Sequence, residues 1–179
     1  MKSDMICLQE TWLEMQDTAE NLQIPGYTPH LNSRGRGKGI AIYYKEDIFK
    51  HQTDVKDDLL QISKFSSHDI DILVLYRSQN CTLEELKNHL QALTGRNKPQ
   101  IIIGDFNFGQ LTSSTNIISS YLRENKFTPL ISEPTHNDGN VLDQAYVRDT
   151  ANMYNFTAEV HTKYYTDHKG LGIIIDKGL

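Results

Sequence analysis

Short apolar runs bounded by polar residues or glycine predict most of the β-strands of this chain. The clearest runs are Ile40-Ala41-Ile42-Tyr43-Tyr44 and Ile101-Ile102-Ile103, the second of which ends at Gly104. Further strands are predicted over residues 5–9, 69–76, 141–147 and 171–175. No run approaches the ~20 apolar residues that a membrane-spanning helix needs. We therefore expect no membrane association.

Apolar residues at helical spacing predict three helices. Thr82 followed by Glu85 forms a capping-box pattern, and leucines then recur at positions 83, 86, 90 and 93 before Gly95. A second helix is predicted over residues 115–125, and a weaker third over residues 13–22. Strands outnumber helices and the two alternate irregularly. This order predicts an α/β (α+β) two-sheet sandwich with flanking helices rather than a regular doubly wound sheet.

Composition and charge narrow the picture. The chain has 179 residues, 38% of them hydrophobic and 23% charged, which suits one folded domain over residues 1–179. Its net charge of −5 argues against a general electrostatic clamp on nucleic acid. It does not exclude a nuclease, because a bound cation reverses the local field. Cys7 and Cys81 suit two free thiols, and with no signal peptide we expect an intracellular protein, nuclear or cytoplasmic.

Polar side chains cluster at the ends of the predicted strands. Each has a structural explanation when taken alone: the start of a helix, a turn, a buried ion pair or a cap. Together they form a set of hard oxygen ligands beside an imidazole, which favours Mg²⁺ over zinc. The set comprises Glu10, Asp105, Asn107, Asp143, Asp167 and His168.

The order of these groups resembles the endonuclease/exonuclease/phosphatase superfamily of metal-dependent phosphodiesterases over residues 6–175. The matching segments are Leu8-Gln9-Glu10-Thr11, Gly104-Asp105-Phe106-Asn107, Leu142-Asp143 and Thr166-Asp167-His168. Glu133-Pro134-Thr135-His136 resembles the endonuclease domains of mobile elements, such as non-LTR retrotransposons and Helitron-type elements. The resemblance implies DNA as the substrate and leaves room for other domains of a mobile-element polyprotein as partners.

The resemblance also implies a role for individual residues. Glu10 would ligate Mg²⁺ or Mn²⁺, and Asp167 would support the metal. Asp105 would activate the attacking water, and Asn107 would hold that water or a phosphate oxygen. The implied phosphate contacts are His168, oriented by Asp143, and Tyr76. Further substrate contacts are expected from Arg77, Arg36, Lys38 and Thr135.

One departure from the family affects the expected activity. The family begins with a strand that carries an asparagine and precedes the Leu-Gln-Glu-Thr segment, whereas only nine residues precede Glu10 here. We therefore expect an N-terminally truncated domain. Three functions stay open: a Mg²⁺-dependent DNA endonuclease, a catalytically impaired remnant of one, or a phosphatase acting on a small phosphorylated substrate. The oligomeric state is open as well.

Overall fold

The computed structural model describes residues 3–11, 13, 17–33, 35, 38–95, 98–108, 116–162 and 167–177. Within them lie eleven strands and two helices. The strands are β1 (Met5–Gln9), β2 (Thr28–Asn32), β3 (Ile40–Tyr44), β4 (Lys50–Lys56), β5 (Leu60–Ser66), β6 (Asp71–Arg77), β7 (Gln100–Asp105), β8 (Thr128–Pro129), β9 (Asp143–Arg148), β10 (Tyr154–His161) and β11 (Gly170–Lys177). The helices are α1 (Leu83–Leu93) and α2 (Ile117–Glu124).

A six-stranded sheet forms the centre of the fold, in the order β4-β5-β6-β7-β9-β8. Only β6 and β7 are parallel, and α1 makes the crossover between them. Parallel neighbours need such a crossover, whereas the antiparallel pairs of this sheet do not. The mixed sheet confirms the predicted α/β sandwich class.

The two faces of this sheet are both covered. Along β6, Leu73 and Leu75 point toward α1 and α2, where they pack with Leu86 and Ile118. Val74, between them in sequence, points to the other face, as the two-residue period of a strand requires. The protein therefore has a helical layer on one side of the central sheet and a β layer on the other.

The β layer is divided into two sheets. One has the order β1-β3-β2, and the other is the β10-β11 hairpin. Ile42 of β3 and Ile173 of β11 both pack in the apolar cluster that contains Val74. Within the described part of the chain, β1 pairs with β3 alone and β11 pairs with β10 alone.

The structure corrects some of the predicted elements. Residues 17–22 form turns, so the third predicted helix is wrong over its described part. Four strands of five residues or more had not been predicted: β2, β4, β5 and β10. Strand β4 carries mainly polar and charged side chains at a sheet edge, and β2 contains Pro29, so neither presents an apolar run.

The cysteines and the helix lengths agree with two smaller expectations. Cys7 and Cys81 are both free thiols, as predicted. The described residues contain no helix that combines the length and the apolar character required to cross a membrane.

Candidate active site

The centre of the candidate site is Asp105, the last residue of β7. It is fully buried, and in the sheet it lies beside Tyr76 on β6 and Asp143 on β9. The preceding residue, Gly104, has a φ of +152°, and a Cβ there would collide with the carbonyl group of Leu75. Glycine at this position therefore allows β6 and β7 to approach and brings the three polar side chains to one end of the sheet.

A tight turn after β7 fixes the Asp105 carboxylate. Asn107 has a left-handed backbone with a φ of +51°, and its N–H donates to Asp105 Oδ1 at 2.8 Å. Its side-chain amide donates to the carbonyl of Arg77 at 2.9 Å and to Asp105 Oδ2 at 3.3 Å. Burial, followed by repulsion from Asp143, raises the pKa of Asp105 to about 7. The Asp105 carboxyl therefore gains or loses its proton more readily near neutral pH than an ordinary aspartate does.

Asp143 and His168 form a hydrogen-bonded pair beside Asp105. Asp143 Oδ2 lies 2.7 Å from Nδ1 of His168. This hydrogen bond raises the pKa of His168 to about 9, against the opposing effect of burial. The imidazole is thus a cation at neutral pH, with Nδ1–H directed at Asp143. One ligand-type atom from each of Asp105, Asp143 and His168 falls within 4.8 Å of the others.

Tyr76 and Glu10 border the same group. Burial and the charge of Glu10 raise the pKa of Tyr76 to about 12, so its hydroxyl is a neutral donor. Glu10 follows β1, is exposed, and has a left-handed φ of +49°. Its charge acts on Asp105 and His168 as well as on Tyr76. The structure therefore brings together Glu10, Tyr76, Asp105, Asn107, Asp143 and His168.

Asp167 lies beside His136 and His168. Its exposed carboxylate is 3.2 Å from Nε2 of His136, and one ligand-type atom from each of the three residues falls within 4.8 Å of the others. Its expected support of the metal stays a prediction. His136 also stacks edge-on against the His168 ring, with centroids 5.0 Å apart. Sequence reasoning missed His136 as a site residue, although it lies in the Glu133-Pro134-Thr135-His136 segment that carried part of the family resemblance.

The placement of Arg77 gives it a structural role. The side chain is only 6% exposed, and its guanidinium donates to the carbonyl oxygens of Phe106, Asn107 and Cys81. Burial lowers its pKa. The structure does not show the expected contact with a substrate phosphate, because the two terminal nitrogens bond to these backbone carbonyls and Nε is buried.

Thr135 is likewise buried beneath the site. Its hydroxyl accepts a hydrogen bond from the N–H of Asp143 at 3.0 Å, and its carbonyl accepts from the N–H of Lys169 at 2.7 Å. It connects the segments that carry Asp143 and His168 and has no surface for the expected substrate contact.

The carbonyl of Lys38 accepts a hydrogen bond from the Thr11 hydroxyl beside Glu10. Arg36 lies outside the described residues.

Comparison with known proteins identifies the family. The sequence pattern of the Endonuclease/Exonuclease/phosphatase family matches residues 2–168, most of the chain. The chain belongs to this family. None of the curated proteins compared with the sequence matches it.

Solved structures of the endonuclease/exonuclease/phosphatase type share the fold. An AP endonuclease from Archaeoglobus fulgidus has a TM-score of 0.70 at 17% identity, covering 97% of this chain and 89% of that one. The endonuclease domain of TRAS1, a telomere-specific non-LTR retrotransposon, has a TM-score of 0.69 at 13% identity, covering 98% and 86%. The human Nocturnin catalytic domain has a TM-score of 0.63 at 16% identity, covering 98% and 81%. This chain therefore has a phosphodiesterase-type fold.

The electrostatics of the site suit the divalent cation that the family implies. Asp105 is buried near Asp143 and Glu10, and both of these carboxylates raise its pKa. Such crowding of negative charge is relieved by a cation, and carboxylate oxygens are preferred ligands of Mg²⁺ and Mn²⁺. The residues present therefore fit a divalent metal.

Proposed function

We propose that this protein is a divalent-metal-dependent DNA endonuclease. The observation that carries the proposal is the Asp143–His168 hydrogen bond of 2.7 Å beside the buried Asp105 carboxylate. Hydrolysis of a phosphodiester needs a base for the water and a cationic donor for the phosphate, and this group supplies both. The fold shared with the TRAS1 domain and the archaeal AP endonuclease supports DNA as the substrate.

Asp105 acts as the general base. A pKa of about 7 lets the carboxylate accept a proton from water near neutral pH, which an ordinary exposed aspartate does poorly. The N–H of Asn107 holds Oδ1 in place. The position of Asp105 is fixed further by Gly104 and by the buried Arg77, which hold the end of β7 and the turn after it.

His168 stabilises the negative charge that develops on the phosphate. Asp143 accepts from Nδ1–H, which leaves Nε2–H as the donor toward the substrate. Because this cationic donor is already oriented before the reaction, it does not have to move to stabilise the transition state. Tyr76 lies beside Asp105 on the neighbouring strand, and its neutral hydroxyl is a second hydrogen-bond donor for the phosphate.

Glu10 is the residue that would hold Mg²⁺ or Mn²⁺ beside Asp105, and Asp167 would support the ion through bound water. The bound ion would supply charge neutralisation at the phosphate. In an acidic chain, it would also reduce the repulsion between the site and DNA.

Nicking of supercoiled plasmid in Mg²⁺ or Mn²⁺ tests the proposal. We expect Asp105→Asn and His168→Gln each to slow nicking by about 100-fold or more. His68→Gln, which changes an exposed histidine outside the site, should leave the rate unchanged. A folded wild-type protein that turns over soluble inositol phosphates and leaves plasmid intact would support the phosphatase alternative instead.

A catalytically impaired domain is the second candidate, and the divided β layer favours it. Glu10 follows β1, which among the described residues is hydrogen-bonded on one side only. A metal ligand on such an edge is held less rigidly than one on a central strand. Calorimetry separates the candidates: binding of Mg²⁺ that Glu10→Gln weakens, without any plasmid nicking by the wild type, would favour the impaired domain.

A further inference from the structure

A second cluster of ligand-type side chains lies at the β4 edge of the central sheet. His30 Nε2 and His51 Nε2 each lie 3.0 Å from Oδ1 of Asp54. The three ligand atoms all fall within 4.8 Å of one another. Nothing in the proposed hydrolytic reaction uses these residues.

A β-bulge places two of these residues on the same side of one strand. Residues 51 and 54 of a regular strand would point to opposite faces, because side chains alternate. The pairing of β4 with β5 shifts between His51 and Thr53, which adds one residue to β4 at this point. The extra residue returns Asp54 to the side of His51. His30 comes from β2 of the other layer, so the cluster joins two sheets.

Aromatic packing covers one side of the cluster, and the other side is open to solvent. The His30 and His51 rings stack with centroids 4.0 Å apart, and both contact the edge or face of the fully buried Phe65. The side chains of Asp54, His30 and His51 are 10%, 18% and 31% exposed. An ion could therefore enter past His51 and reach a carboxylate that is otherwise sheltered.

Neighbouring groups orient the carboxylate. The Ser63 hydroxyl donates to Asp54 Oδ1 at 2.7 Å, and the amide of Asn32 donates to Ser63 Oγ at 3.1 Å. Lys56 lies 3.4 Å from the other oxygen, Oδ2, with half of its side chain in solvent. Ser63 and Asn32 therefore hold the Asp54 carboxylate from outside the cluster, as outer hydrogen bonds do for ligating carboxylates.

We propose that His30, His51 and Asp54 form a zinc site that links β2 to β4. Two imidazole nitrogens and one carboxylate oxygen are a common zinc ligand set, with a fourth position left for water. Zn²⁺ bonds of about 2.0–2.1 Å in a tetrahedron place neighbouring ligand atoms about 3.3 Å apart. The two nitrogen–oxygen distances are 3.0 Å and the two nitrogens lie within 4.8 Å of each other, so the ligand atoms are already close to this spacing. Imidazole ligands select against Mg²⁺.

This zinc site is separate from the candidate active site. Strand β4 lies three positions from β7 in the sheet, a distance of about 14 Å at normal strand spacing. The proposal therefore does not depend on the endonuclease function, and zinc here would act on stability rather than on hydrolysis.

Zinc titration by calorimetry tests the site, in a background that removes the competing ligands. In Asp105→Asn/His168→Gln protein freed of metal with chelator, we expect one equivalent of Zn²⁺ to bind. Adding His30→Gln or His51→Gln should weaken binding by tenfold or more, about 1.4 kcal/mol. His68→Gln is the matched control, since this exposed histidine is bonded to Asp69 outside the cluster, and it should leave the affinity unchanged.

X-ray absorption of the zinc-loaded background protein provides a readout that does not depend on the folding of the histidine variants. Two imidazoles in the zinc shell, together with tenfold weaker binding in either histidine variant that keeps the parent circular dichroism, support the proposal. Absence of zinc binding, or affinity that is unchanged by both histidine substitutions, overturns it.

Discussion

At the residue scale, the candidate site contains two side chains on left-handed backbone. Asn107 and Glu10 have φ values of +51° and +49°. Asparagine tolerates this region through local hydrogen bonding, whereas glutamate gains nothing there. Glu10 is therefore held in a strained conformation, and strain of this kind at a site indicates that function opposes stability.

Replacing Glu10 should separate these two effects. We expect Glu10→Asn to stabilise the metal-free protein by about 0.5–1 kcal/mol relative to Glu10→Gln, because asparagine adopts a positive φ more readily. Both variants lack the carboxylate and should lose Mg²⁺ affinity alike. Urea unfolding with chelator present measures the difference. Equal stabilities for the two variants would show that the backbone at residue 10 is not strained.

The ionisation of His168 depends mainly on one neighbour. Its pKa of about 9 lies above the ordinary value of 6.5, chiefly because Asp143 accepts its Nδ1–H. The protonated pair therefore stabilises the fold fully below about pH 6.5, and this contribution is lost as the pH rises through about 9.

We expect Asp143→Asn to return the pKa of His168 to about 7 or below. Titration of the histidine ring signals by NMR in metal-free buffer measures this change. Asp69→Asn is the control, since Asp69 bonds to the exposed His68 outside the site. A His168 pKa that stays near 9 in Asp143→Asn would show that the hydrogen bond does not control the proton.

Residue types predicted the chemistry of the site better than the positions of its supports. Asp105 ends β7, Asp143 begins β9 and His168 precedes β11, and the structure brings all three together. Arg77 and Thr135 were expected to contact substrate, but their side chains bond to the backbone, where they hold the turn after β7 and the start of β9. The sequence does not distinguish a polar group that faces the substrate from one that holds the site from beneath.

At the element scale, the close pairing of β6 and β7 controls where Asp105 lies. We expect Gly104→Ala to destabilise the protein by about 2–4 kcal/mol, because the added Cβ would meet the Leu75 carbonyl and the φ of +152° disfavours alanine. Denaturant unfolding measures the loss. Gly95→Ala is the matched control: its Cβ would meet only the Gln100 side chain, at an ordinary 3.8 Å. A similar small effect at both positions would contradict the close approach.

Elements with local signals were predictable, and those that depend on sheet position were not. The Thr82–Glu85 capping box was visible in the sequence, and α1 begins at Leu83 as expected. Strand β10 alternates partly buried and exposed residues along its whole length, which is the two-residue period of a strand. Strand β4 gives no such signal, because an edge strand with polar side chains resembles a loop.

At the scale of the whole molecule, the fold class followed from the number and order of apolar runs, but the division of the β layer did not. Which strands pair depends on contacts between distant segments, such as β1 with β3, that no local pattern encodes. The same long-range assembly brings Glu10 to Asp105, and so concentrates carboxylates in a chain whose net charge is already −5.

This concentration of charge predicts how metal-free protein binds DNA, if DNA is the substrate. At about pH 8 Asp105 is ionised, since its pKa is about 7, and it repels the phosphate; at about pH 6 it is mostly neutral. His168, with a pKa of about 9, stays largely cationic at both values. Asp105→Asn should therefore bind DNA about three- to tenfold more tightly than the wild type at the higher pH, and equally at the lower.

Fluorescence anisotropy with labelled duplex and chelator at low salt measures both affinities. Because added Mg²⁺ offsets the Asp105 charge in the wild type, it should remove or reverse the difference at the higher pH. If Asp105→Asn binds DNA more tightly than the wild type by the same factor at both pH values, the Asp105 charge does not act on the bound phosphate. Asp105 would then be too far from the phosphate to serve as the base for hydrolysis.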